Sequence, residues 1–235
     1  MKCIVGILCF VAVACAQISP EFIRNEQKLS FGRQGKIVNG QMATRSQFPH
    51  QALLYITLAQ YSVVCGGSLI HPRYILTAAH CVQEAVRARV LLGSNNKNAP
   101  QIQIYSESIV SMPSYDPARV RNDVGIIKLA TAAPIGIYIK TIRLPSRSQA
   151  RVSQYDNQIM VVSGYGKTTT TNSPQYLQYT QVRGISNVEC VKTFGSSIII
   201  NSTLCTRGYP VVRAGTCEGD SGNYCKLSMI KYVTY

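Results

Sequence analysis

The chain has 235 residues, 46% hydrophobic and 14% charged, with a formal net charge of +14 at pH 7. The basic residues are scattered rather than gathered into runs with interleaved aromatics, which argues against a dedicated nucleic-acid binder. After the first sixteen residues no apolar run is long enough to span a bilayer, so no membrane association is expected.

Met1-Lys2 leads into an apolar run from Ile4 to Ala14 and then Ala14-Cys15-Ala16. A charged start, a short apolar stretch and an Ala-x-Ala site read as a secretory signal peptide over residues 1–16, with export to the extracellular space. Residues 17–36 are polar and mixed and read as a propeptide. Residues 37–235 form the expected domain, long enough to bury a substantial core, with a net charge near +11 once residues 1–36 are gone.

Short β-rich runs recur along that domain: Gln51–Leu58, Val63–Ile70, Val90–Leu92, Gln101–Val110, Gly125–Leu129, Gln158–Gly164 and Leu177–Ile185. Turn signals separate them, among them His71-Pro72, Asn95-Asn96 and Ser114-Tyr115-Asp116-Pro117. No long helical period competes, so an all-β barrel or sandwich is expected. Six cysteines follow the signal peptide: Cys65, Cys81, Cys190, Cys205, Cys217 and Cys225. In an oxidising compartment they should pair, and the sequence alone leaves all fifteen pairings open.

Four segments carry chemistry. Cys217-Glu218-Gly219-Asp220-Ser221-Gly222 sets a serine between glycines, a pattern that suits a nucleophile on a tight turn. The backbone N–H groups of Gly219 and Ser221 can point at one spot, where a carbonyl oxygen would become an oxyanion. Thr77-Ala78-Ala79-His80-Cys81 supplies a candidate base in His80. Asn122-Asp123 leads into an apolar, strand-like run. Ile37-Val38-Asn39-Gly40 follows directly on Lys36. His80, Asp123 and Ser221 lie 43 and 98 residues apart, so only a fold can bring them together.

With these segments in this order, the chain from Ile37 to Gly222 resembles the chymotrypsin/trypsin-like serine endopeptidases, in particular invertebrate chymotrypsin-like and brachyurin-like members. The resemblance implies two six-stranded Greek-key barrels, over about residues 45–140 and 150–235, with the active site between them. It implies Ser221 as nucleophile, His80 as general base and then acid, and Asp123 as the group that orients the imidazole. It implies disulfides Cys65–Cys81 and Cys190–Cys205, each contributing about 3 kcal/mol in the chain-entropy account.

The family also implies a zymogen. A trypsin-like protease would cut after Lys36, and the new ammonium of Ile37 would pair with Asp220. Gly215, six residues before Ser221, takes the position of the specificity-pocket floor. Trypsin-like members carry aspartate there; glycine carries no charge, so a non-tryptic preference for large apolar or aromatic residues is expected. Expected partners are protein or peptide substrates and the activating trypsin-like protease, and the chain is expected to be a monomer. No cofactor is expected and no metal either, because Ser94–Gln101, where some members bind calcium, has no carboxylate.

Asn223–Tyr235 departs from the family's continuation, which begins Gly-Pro, so the second barrel is expected to be incomplete and Cys217 to lack its usual partner. The alternative expectation is therefore a non-catalytic protease-like protein or an inactive truncated product. Asn201-Ser202-Thr203 is a glycosylation sequon, compatible with export.

Overall fold

In the computed structural model the described residues are 40–146, 155–166 and 174–209, together with the backbone pairing of 37–38, 215–216 and 228–230. Strands dominate. β1 is Ile37–Val38, β2 Gln41–Met42, β3 Gln51–Thr57, β4 Ser62–His71, β5 Tyr74–Thr77, β6 Arg87–Leu92, β7 Ile102–Ser111 and β8 Gly125–Leu129. Then come β9 (Ile159–Gly164), β10 (Gln178–Ile185), β11 (Leu204–Tyr209), β12 (Gly215–Thr216) and β13 (Ser228–Ile230). Among the described residues two short helices interrupt them, α1 over Ala79–Val82 and α2 over Asn187–Phe194.

Strands β3 to β8 close into a six-stranded antiparallel barrel in the order β3-β4-β5-β8-β7-β6. The period of two along each strand decides what goes inside. Ala52, Leu54 and Ile56 of β3 face inward with Ala88, Val90 and Leu92 of β6 and with Ile127 and Leu129 of β8, all buried in one core. Of the alternate positions, Tyr55, Thr57, Arg87 and Arg89 stay partly or fully exposed, while the paired Leu53 and Leu91 are buried.

The second unit of the fold is a sheet in the order β13-β11-β10-β2, with β9 also on β10. Its core is smaller: Met160, Val182 and Leu204 form one cluster, and Ile185, Cys190, Ile199 and Cys205 another. β2 belongs to this sheet, pairing Met42 with Gln178 and Gln41 with Tyr179, although it precedes the whole first barrel. The second barrel thus borrows a strand from before residue 45, outside the span expected for it.

Polar ties join the two halves. Ser163 Oγ donates to Gln51 Oε1 at 2.8 Å, Tyr165 Oη donates to Ser94 O at 2.7 Å, and Arg121 Nη2 donates to Ser197 O at 2.8 Å. Asn95 adds two more, its Nδ2 donating to Ala43 O at 2.8 Å and its carbonyl accepting the Leu177 N–H at 2.7 Å.

All seven expected strands form, with ends shifted by up to three residues. Six strands (β1, β2, β5, β11, β12 and β13) and the two helices add to them. β5 escapes the sequence pattern because Ile75, Leu76 and Thr77 are all buried, so the strand does not alternate. β11 mixes Thr206, Arg207 and Gly208 into its run, which dilutes the apolar signal. α2 runs only eight residues. Its signature is the cap: Ser186 Oγ accepts the N–H of Glu189 at 3.3 Å, a Ser-x-x-Glu pattern.

Candidate active site

Helix α1 carries His80 and starts directly after β5. Its N-cap residue, Ala78, has no side chain able to cap, so the first N–H groups of the helix need partners from elsewhere. Asp123 provides one, just before β8. Its Oδ1 accepts the backbone N–H of His80 at 2.8 Å, and its Oδ2 sits 2.8 Å from His80 Nδ1. One carboxylate therefore holds both the main chain and the ring of the same residue, which fixes the ring's position and its rotation.

The environment sharpens this grip. The Asp123 side chain is only 1% exposed, against 19% for His80. The carboxylate is sealed in while the imidazole reaches the surface. A carboxylate only accepts hydrogen bonds, so the proton sits on Nδ1 and the lone pair on Nε2. Nε2 is then the nitrogen available to take a proton from another group.

Three further contacts place the pair. The Cys65–Cys81 disulfide ties β4 to α1 one residue beyond His80, with Cα atoms 6.3 Å apart. Thr77, fully buried at the end of β5, donates its hydroxyl to Gly66 O at 2.9 Å. Thr77 also registers with Gly125 across β5 and β8, so the strand ends bearing the two residues are pinned together. The sequence pattern did not single out Thr77 or Gly125 as functional; each lies within three residues of a candidate and would be found by asking what fixes it.

Cys65, His80 and Cys81 bring their donor atoms within 4.8 Å of one another. The two sulfurs are bonded to each other, so they offer no thiolates to a metal. The second disulfide, Cys190–Cys205, joins α2 to β11, again with Cα atoms 6.3 Å apart. Both pairings implied by the resemblance are present.

Backbone pairing links the other expected segments. β1 and β12 run antiparallel, with Ile37 opposite Thr216 and Val38 opposite Gly215. Lys36, Cys217, Gly219, Asp220, Ser221 and Cys225 lie outside the described residues. Among the described residues no helix is long and apolar enough to cross a membrane.

A family profile described as Trypsin matches residues 37–223. The chain belongs to the trypsin family of serine endopeptidases. It is 40% identical over 197 residues to a collagenase of Hypoderma lineatum, an alignment covering 83% of this chain and 74% of that protein. It is 34% identical to a chymotrypsin of Phaedon cochleariae, covering 84% and 71%, and 31% identical to a brachyurin of Leptuca pugilator, covering 83% and 84%. Among solved structures, HL collagenase superimposes with a TM-score of 0.68 at 39% identity over 73% of each chain. Trypsin-family members hydrolyse peptide bonds, and the all-β, barrel-based fold found here is theirs.

Proposed function

We propose that this chain is an exported serine endopeptidase, made as a zymogen, with Ser221, His80 and Asp123 as its catalytic residues. The double hold of Asp123 on His80 carries the reading, because it leaves Nε2 as a positioned base. The hydroxyl of Ser221 would lose its proton to Nε2 as the oxygen attacks the scissile carbonyl. The backbone N–H groups of Gly219 and Ser221 would receive the oxyanion. Imidazolium would then return the proton to the leaving amine, giving an acyl-enzyme that water hydrolyses by the same steps in reverse order. Asp123 stabilises the imidazolium without itself taking the proton.

The β1–β12 pairing supports activation by cleavage after Lys36, since it attaches the two residues that follow the cut to the strand leading into the nucleophile motif. A freed ammonium at Ile37 would be drawn to Asp220. Neither charge is stable in a buried site without the other, which makes the cut a switch. Gly215 brings no carboxylate to the pocket floor, and this supports a preference for large apolar side chains over Arg and Lys.

A fluorophosphonate probe tests the reading. Labelling should appear after cleavage at Lys36 and vanish in Ser221→Ala and in Lys36→Gln treated alike. Labelling that survives Ser221→Ala would overturn the assignment of the nucleophile.

A further inference from the structure

Asn201-Ser202-Thr203 lies outside the machinery just described, and the fold gives it a definite shape. The segment sits between α2 and β11. The N–H of Thr203 donates to Ile200 O at 2.8 Å, and the N–H of Ile200 donates to Thr203 Oγ1 at 3.1 Å. This reciprocal pair closes a four-residue turn with Asn201 and Ser202 at its two corners. Both corner residues are exposed.

The turn is held from below. Asn187 Nδ2 donates to the same Ile200 carbonyl at 2.8 Å, and two residues after Thr203 comes Cys205, bonded to Cys190. Ile199, just before the turn, is buried in the core of the second sheet. Among the described residues none accepts a hydrogen bond from the Asn201 amide, so the side chain has no structural task that a substituent would disturb. A group attached to Asn201 would extend into solvent from a rigid corner.

We infer that Asn201 is a modification site carrying an asparagine-linked oligosaccharide. This rests on the proposed export, since the donor, a lipid pyrophosphate-linked oligosaccharide, is met in the secretory pathway. The Asn201 amide nitrogen forms a bond to C1 of the first sugar. The bond from C1 to the phosphate oxygen breaks, the lipid pyrophosphate leaves with the electron pair, and an amide proton is released. The sequon hydroxyl at Thr203 and the absence of proline at position 202 meet the acceptor requirement. No other asparagine in the sequence has Ser or Thr two places on, and loss of the glycan in Asn201→Gln identifies the site.

The experiment is to express residues 1–235 in a secretory eukaryotic host and treat the product with peptide N-glycosidase. Attachment takes place on the entering chain, so the readout does not depend on proteolytic activity. Mobility should shift on treatment, and peptide mass analysis should find aspartate at position 201. The shift should be lost in Asn201→Gln and in Thr203→Ala and kept in Thr203→Ser and Ser202→Ala. A chain that enters the pathway, loses residues 1–16 and shows no shift would overturn the glycan and leave export standing. A chain retained in the cytosol without a glycan would overturn both.

Discussion

The Ala78 carbonyl lies 3.1 Å from where a β-carbon on Gly125 would stand, and the Val82 side chain crowds the same point more closely still. Helix α1 therefore rests directly on the start of β8. Asp123 precedes Gly125 by two residues, and His80 lies between Ala78 and Val82. The missing side chain at position 125 is what lets the carboxylate come within 2.8 Å of both His80 atoms.

Gly125→Ala should accordingly damage both stability and catalysis. Overpacking a tight core site costs about 1–3 kcal/mol. A displacement of the order of an ångström at a catalytic group lowers turnover by about 10²-fold. Urea unfolding and peptide hydrolysis of the activated enzyme would measure the two effects. Adding Val82→Ala removes one of the two obstructions and should recover part of the stability. A Gly125→Ala enzyme with unchanged turnover would mean that the helix does not need this contact.

Asp123→Asn keeps the shape of the side chain and changes its hydrogen bonding. The amide oxygen can still accept the His80 N–H, but the amide nitrogen then faces Nδ1 and donates to it. The imidazole proton is driven to Nε2, the nitrogen that must be free. Turnover should fall by about 10⁴-fold while the fold persists. Steady-state kinetics beside a thermal unfolding curve would separate this from general damage. A loss of activity matched by a loss of structure would point to a purely structural aspartate.

The two disulfides should separate in their effects. Each closes a loop of similar length, with sequence separations of 16 and 15, so replacing either pair by alanine should cost about 3 kcal/mol. Cys81 adjoins His80 on α1, so removing Cys65–Cys81 should also lower turnover at temperatures where the protein is still folded. Removing Cys190–Cys205, which pins α2 to β11, should leave turnover under those conditions nearly intact. Equal losses of turnover for the two pairs would contradict this division.

The His80–Asp123 pair is legible in the sequence because its parts are punctuated, as Ala-Ala-His-Cys and as Asn-Asp before an apolar run, while Gly-Asp-Ser-Gly lies outside the described residues. The separation of 43 positions from His80 to Asp123 says only that a fold has to join them. The means of joining were not legible. The bond from Thr77 to Gly66 and the seat of α1 on Gly125 are long-range contacts, and no local pattern encodes them. Alternation marks strands with one wet face, as in β8, where Ile126 and Lys128 are partly exposed between buried neighbours. β5 shows no such pattern because burial of its last three residues erases the alternation. β2 shows none because two residues carry no period at all. Cysteine spacing left fifteen pairings open, and only resemblance to the family narrowed them.

Stability should also depend on pH through His50. Burial disfavours the charged imidazole and lowers its pKa below the ordinary 6.5. Phe48 lies edge-on to the ring, with centroids 6.3 Å apart, and brings no charge to offset that. The folded protein therefore resists protonation at His50 and the unfolded chain accepts it. As the pH falls through 6.5 the unfolded state binds more protons, and stability declines until the folded-state pKa is passed; above 6.5 the residue contributes no slope. His50→Asn removes the titrating group and should flatten that part of the profile. Urea unfolding of both proteins above and below 6.5 isolates the difference, because the remaining histidines are common to the two. The wild type should lose more stability than the variant on acidification. Parallel profiles would show that His50 is as readily protonated in the folded state as in the unfolded one.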